Sequence, residues 1–248
     1  MKARKRFRAF KIKIQRNGVL MKTENAYVAF FDLDQTILET SSGLHMVRSM
    51  KERNLLTMGH RMRFLRAVIP YRLGLITSHR AMEIISLMFK GASLEDTLAH
   101  NDFLFENYLA GDIRPAAVEE LAMHKKQGGR TVLLSASTNF VCSRMAEHLG
   151  MDDIVTTEVE VKDGILTGGL SRRYCHGTEK VVRAQEYCRE KNFSLENAWY
   201  YGDAWADHYI LEAVGNPRCV TPESRLRKKA RALSWPVLEW GLEATQPR

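Results

Sequence analysis

An α/β fold is what the sequence predicts, and three observations predict it. An apolar, aromatic-rich run at 27–31 stops at an aspartate, as a strand covered on both faces would. After Pro115, short runs of strand length alternate with helical segments, which implies crossover connections and a mostly parallel sheet. Between the two parts, roughly seventy residues show helical spacing and no strand-like run. The whole reads as a Rossmann-like, doubly wound, mostly parallel sheet with an inserted all-helical domain. Residues 25–40 and 111–248 make the α/β core, 41–110 the insert, and 1–24 a disordered basic extension.

Taken in order, the first strand is Tyr27-Val28-Ala29-Phe30-Phe31, ending in Asp32. In the insert, apolar residues recur at helical spacing, as in Met82, Ile85, Leu87 and Met88, then Leu94, Leu98, Phe105 and Leu109. Helix 115–127 stops at Gly128-Gly129, strand 131–134 follows, and helix 138–149 stops at Gly150, each glycine serving as a C-terminal stop. Residues 158–161 and 165–167 alternate about a Lys162-Asp163-Gly164 turn and read as a hairpin. Helix 178–191, strand 198–201, helix 207–214, strand 218–221, helix 223–233 and strand 236–238 complete the series.

Composition and charge set further bounds. The 248 residues carry 37 Lys plus Arg against 29 Asp plus Glu, a formal net charge of +8. Residues 1–20 alone hold eight cations (Lys2, Arg4, Lys5, Arg6, Arg8, Lys11, Lys13, Arg16) and no acid. Without them, 29 cations face 29 acids, so the body is neutral and no specific nucleic-acid partner is expected. Cations interrupt the extension too often for a secretory signal, and no serine precedes Ser41, unlike a transit peptide. The expectation is a start at Met21 with an untidy extension ahead of it. A disordered basic arm and a contact with anionic membrane or nucleic acid are the alternatives. The longest apolar stretch, 64–76, is broken by Arg66, Pro70 and Arg72, so no helix spans a membrane. Four cysteines without CxxC spacing suit a reducing compartment, and a cytoplasmic location is expected.

In a doubly wound sheet, ligands bind beyond the carboxyl ends of the strands. Three strands end in chemically able residues: Asp32-Leu33-Asp34-Gln35-Thr36, Ser135-Ala136-Ser137, and Gly202-Asp203 with Asp207 four residues on. Lys180 opens a helix between the last two. In an extended segment the i and i+2 side chains point the same way, so Asp32 and Asp34 present two carboxylates to one site. Such a pair divides the work of nucleophile and general acid when its pKa values are pushed apart. Singly, Asp34, Thr36 or Asp207 could cap a helix and Lys180 could be a solvated lysine. Jointly, and in this chain order, they are hard to explain by accident.

The stretches FDLDQT (31–36), LLSAS (133–137), Lys180 and YGDAWAD (201–207) resemble the four motifs of the haloacid dehalogenase superfamily of phosphohydrolases. The helical insert resembles that superfamily's cap domain. More narrowly, 113–138, 160–168 and 222–240 resemble the phosphoserine-phosphatase-like subfamily IB. The resemblance implies that Asp32 is the nucleophile and that Asp34 protonates the leaving oxygen and later activates water. It implies that Lys180 steadies nucleophile and phosphate, with Ser135, Ala136 and Thr36 on the phosphate side. It further implies an Mg²⁺ ion held by Asp32, the backbone carbonyl of Asp34 and Asp203, supported by Asp207. A hard cation with oxygen ligands suits a site where four aspartates would otherwise repel one another and the substrate.

The implied reaction is Mg²⁺-dependent hydrolysis of a small metabolite phosphate, phosphoserine-like or histidinol-phosphate-like, through an aspartyl phosphate. The alternatives are a lipid-derived or membrane-proximal phosphate and a non-catalytic anion-binding protein on the same fold. Two departures stand out. Ala206 occupies a position that is commonly Asn in the subfamily, where a lost polar contact rather than lost catalysis is expected. Ser41 stands nine positions after the nucleophile, where phosphoserine-specific relatives carry an acid, and Glu39 is nearby but out of register. Between Arg48 and Arg80 the insert has eight cations against Glu52 alone. Most are expected to be solvated or to snorkel along helix surfaces; the alternatives are that one or two reach an anionic group of the substrate, or that this apolar-basic face, with the tail, makes a weak contact with anionic membrane.

Overall fold

The computed structural model describes residues 27–241, so the basic extension and the expectation of its disorder lie outside the described residues. In chain order the elements are β1 (Val28–Phe31), α1 (Ser42–Glu52), α2 (Met58–Arg72), α3 (Ser78–Ser86), α4 (Leu94–Leu104), α5 (Pro115–Lys126), β2 (Arg130–Thr138) and α6 (Asn139–Leu149). Then follow β3 (Asp153–Thr157), β4 (Val159–Lys162), β5 (Ile165–Leu170), α7 (Thr178–Lys191), β6 (Trp199–Gly202), α8 (His208–Ala213), β7 (Asn216–Val220), α9 (Ser224–Ala232) and β8 (Val237–Leu238).

Six strands form one sheet in the order β3-β2-β1-β6-β7-β8, every neighbouring pair parallel. The chain winds outward from β1 to β3, returns to β6 on the other side of β1, and winds outward again. The order reverses at β1, which opens a crevice beyond its carboxyl end.

Alternation along β1 explains the two layers of helices. Ala29 and Phe31 join Leu133 and Tyr201 against α5 and α6, with Leu121, Met145 and Ala146 in the same cluster. Val28 and Phe30 join Val132, Leu134 and Tyr200 against α7, α8 and α9, with Ala184, Ile210 and Leu226. A strand whose successive side chains enter two cores has no polar face, so its sequence is continuously apolar.

All four helices between β1 and α5 lie where strand-like runs are missing from the sequence. The β4–β5 hairpin packs on this insert rather than on the main sheet. Phe140, Val159 and Leu166 pack with Phe89, Leu94 and Leu98, and the Ser86 hydroxyl donates to the Gly168 carbonyl at 2.7 Å. Gly168 has φ +80° and sits so close that an added Cβ would lie 2.9 Å from Lys90 Cβ, so only glycine fits.

Two readings of the sequence need correction. β3 went unrecognised because Asp-Ile-Val-Thr-Thr is short and polar at three of its five positions, as an edge strand pairing only with β2 permits. β2 runs to Thr138, four residues past the expected end, because Ser135-Ala136-Ser137 stays extended while the pairing register with β3 shifts. No helix among the described residues is long and apolar enough to cross a membrane, and the four cysteines are buried thiols.

Candidate active site

β1 ends at Asp32, whose backbone N–H donates to the Tyr201 carbonyl of β6 at 2.9 Å and so stays in sheet register. The chain then makes one wide turn over Leu33–Ile37, closed by the Leu38 N–H on the Leu33 carbonyl at 2.9 Å, with Gln35 in the left-handed region at φ +57°. Reversing direction within five residues brings Asp32, Asp34 and Thr36 to one end of the sheet. The Thr36 hydroxyl is buried and donates to Asp203 Oδ1 at 3.1 Å, tying this turn to the end of β6.

Asp34 is held from two sides. Its Oδ1 accepts from the Ser42 N–H at 2.5 Å, at the first turn of α1, and its Oδ2 accepts from the Ser137 hydroxyl at 2.9 Å. The two serine hydroxyls are themselves 2.8 Å apart. Ser135 is buried, and its hydroxyl accepts the Ser137 N–H at 3.2 Å, while the Ala136 carbonyl accepts from Thr157 at 2.7 Å.

Lys180, buried at the first turn of α7, reaches three partners: Asp32 Oδ2 at 3.1 Å, Asp207 Oδ1 at 2.7 Å and the Tyr200 hydroxyl at 2.8 Å. Tyr200 also donates to Asp207 Oδ1 at 2.9 Å. Gly202 allows this closeness, since an added Cβ would lie 2.6 Å from both Asp207 Oδ2 and Tyr200 Cε1.

The two oxygens of Asp32 therefore differ. Oδ2 is ion-paired with Lys180, whereas Oδ1 is buried without a hydrogen-bond partner among the described residues. Carboxylate oxygens of Asp32, Asp203 and Asp207 lie within 4.8 Å of one another. Among the described residues Lys180 is the one cation that contacts them, against three buried acids. Burial pushes Asp32 up to about 7 against the pull of Lys180, with Asp207 and Asp34 adding to the rise. Burial, then Asp207 and Asp32, push Asp203 up to about 8. Buried lysines ordinarily lose affinity for the proton, but Asp207 and Asp32 hold Lys180 well above its usual value. Three crowded, proton-retaining carboxylates with oxygens within 4.8 Å of one another are the donor set a hard divalent cation fits.

The structure thus brings Asp32, Asp34, Thr36, Ser135, Ala136, Lys180, Asp203 and Asp207 to one end of the sheet. Sequence reasoning missed Ser42 and Ser137 as the grips on Asp34, and Tyr200 as the third partner of Lys180. Ser137 had a signal, being two residues from Ser135 on one strand, but Ser42 and Tyr200 had none. It also missed Tyr174, whose hydroxyl burial and the nearby Asp34 push up, and whose N–H donates to His79 Nδ1 of α3 at 3.1 Å. Glu39 turns away to Arg114 at 3.0 Å. Beside Ala206, the Trp205 ring stacks on His208 and lies under the Arg225 guanidinium at 3.8 Å, so this turn is held from outside the site.

The sequence model of the haloacid dehalogenase-like hydrolases matches residues 29–212. A phosphoserine phosphatase of Mycobacterium tuberculosis is 28% identical over 218 residues, covering 86% of this chain and 70% of that protein. A histidinol-phosphatase of Neisseria meningitidis is 24% identical over 222 residues, covering 86% and 98%. Among solved structures, one from Bordetella pertussis superposes with a TM-score of 0.81 at 24% identity, over 87% of this chain and 99% of that one. A substrate-bound phosphoserine phosphatase complex superposes with a TM-score of 0.63 at 16% identity, over 86% and 92%.

Proposed function

Because this chain belongs to the family of haloacid dehalogenase-like hydrolases, we propose that it is a phosphomonoesterase working through an aspartyl phosphate on Asp32. The observation that carries the reading is the inequality of the Asp32 oxygens: Lys180 holds Oδ2, which leaves buried Oδ1 free to attack. In the first step Oδ1 bonds to phosphorus as the bond to the leaving oxygen breaks, and Asp34 protonates that oxygen. In the second, Asp34 takes a proton from water, whose oxygen bonds to phosphorus and releases Asp32 and inorganic phosphate.

Each neighbour has a task. The Ser42 N–H and Ser137 hydroxyl fix the Asp34 carboxyl so that one group serves both proton transfers. Ser135, the Ala136 backbone and Thr36 border the phosphate, and Lys180 offsets charge on its nonbridging oxygens. Mg²⁺, held by Asp32, the Asp34 carbonyl and Asp203 with Asp207 in support, would neutralise the same developing charge. The substrate is a small phosphate monoester such as phosphoserine or histidinol phosphate, in keeping with the relatives that carry those names. Ser41, where an amine-holding acid would stand, favours an amine contact made elsewhere.

The test is hydrolysis of p-nitrophenyl phosphate and of a panel of phosphorylated metabolites across divalent metals. Wild type is expected to be active with Mg²⁺, and Asp32→Asn, shown folded by circular dichroism, inactive. A wild type without activity under any metal would leave the anion-binding alternative standing.

A further inference from the structure

α2 is an outlying helix. It packs on α3 and the turn at Leu87–Phe89, and of its fifteen residues Ala67 alone is fully buried. At 100° per residue, Met58, Met62, Leu65 and Ile69 fall in one stripe on the side opposite Ala67. The burial agrees, with these four at 68%, 49%, 47% and 52% exposure. Leu73 and Leu75 extend the stripe just past the helix end at 68% and 72%. Other exposed aliphatics, such as Val118, Val182 and Leu233, stand on separate elements, whereas these six follow one another along one helix and its end, as at a contact site.

The fringe of the stripe is cationic. Arg61 and Arg72 flank it on one side and Arg66 on the other, all exposed and none paired with a carboxylate among the described residues. From residue 53 to 82 there are six Lys or Arg and no Asp or Glu. The other cations of this stretch have partners: Arg80 meets Glu83 at 2.9 Å, Arg63 donates to the Leu87 carbonyl at 3.2 Å, and Arg53 lies over Phe103. The hydrogen bonds and ion pairs of the four site aspartates involve none of these cations, so the charge serves a surface rather than the phosphate site.

We propose that the outward face of α2 docks on an anionic lipid bilayer, its apolar stripe entering the interface and its arginines meeting headgroup phosphates. Although Phe64 and Tyr71 are exposed elsewhere on the helix, its convex stripe offers a bilayer interface four aliphatic side chains to bury, with arginines at the fringe that snorkel to the charged layer. A second copy of the chain is the poorer occupant, because two such faces would set arginines against arginines with no acid to separate them. Through α3, whose His79 accepts from the Tyr174 N–H, the helix pair is tied to the segment whose tyrosine feels the charge of Asp34. The docking inference does not depend on the hydrolase reading.

Flotation of the full chain with vesicles of phosphatidylcholine, alone or with about a third phosphatidylglycerol, tests it. Wild type is expected to float with the anionic vesicles only and to be released by salt. Met62→Gln/Leu65→Gln/Ile69→Gln, and separately Arg61→Gln/Arg66→Gln/Arg72→Gln, are each expected to lower vesicle partitioning at least about tenfold. Hydrogen exchange of the wild type needs no variant to fold, and vesicles should slow exchange at residues 58–75. Undiminished binding by the apolar variant, equal binding to neutral vesicles, or protection confined to other segments would overturn the proposal. So would a wild type that ignores vesicles but sediments as a dimer or with an acidic protein through this face.

Discussion

Replacing Lys180 by methionine should destabilise the protein by about 3–5 kcal/mol at neutral pH with divalent metals chelated. The magnitude comes from what the side chain holds: Asp32 Oδ2 at 3.1 Å, Asp207 Oδ1 at 2.7 Å and the Tyr200 hydroxyl at 2.8 Å. Methionine fills similar volume, so the loss is electrostatic rather than a cavity. It leaves Asp32 and Asp207, 7% and 1% exposed, with no cation in contact among the described residues. Breaking a buried pair from one side costs more than the pair is worth, because the remaining charge stays buried. At roughly 2–4 °C per kcal/mol for a chain of this size, Tm should fall on the order of 10 °C. Urea and thermal unfolding of both proteins in EDTA measure it. Asp207→Asn added to Lys180→Met should recover about 1–3 kcal/mol by removing the stranded charge. A Tm shift under about 2 °C, or no recovery in the double variant, would show that the acids do not depend on Lys180.

Two further outcomes follow from particular contacts. Gly202→Ala places a Cβ 2.6 Å from Asp207 Oδ2, on a carboxylate whose Oδ1 is pinned by Lys180 and Tyr200, so stability should drop by about 1–3 kcal/mol and kcat by roughly 10- to 100-fold. An unchanged melt and rate would place Asp207 outside the working geometry. His124, between Tyr27 at 2.9 Å and Tyr201 at 2.8 Å, has its imidazole pushed down to about 4 by burial and by Arg218. Its unfolded value is near 6.5, so no penalty exists above that pH, and stability is lost as pH falls from 6.5 towards 4. Discounted for solvent screening, the loss is about 1–2 kcal/mol by pH 4.5. The urea midpoint of wild type relative to His124→Gln should fall by that amount from pH 7 to 4.5, because Asp32 and Asp203, which act in the opposite direction, are common to both proteins.

Local signals carried much of the fold. Continuous apolarity in β1 and glycine stops after α5 and α6 are properties of neighbouring residues, so they can be read without the fold. The same holds for the site loops, because each motif is a strand end. β3 escaped because an edge strand that pairs on one side needs little apolar sequence. Ser42 and Tyr200 escaped because their partners, Asp34 and Lys180, are reached through space, with nothing nearby in sequence to mark them.

By itself the sequence determined the order of elements, the carboxylates that end β1 and β6, and the excess of arginines over acids in the insert. Only the tertiary structure decided what those residues do together. Asp32 and Asp203 are distant in the chain and meet because the strand order reverses at β1, with Lys180 entering from the α7 side. Likewise, the arginines of α2 could have faced the site or the solvent. Burial of Ala67 turned its apolar stripe outward, because a helix that packs by one face must expose the opposite one.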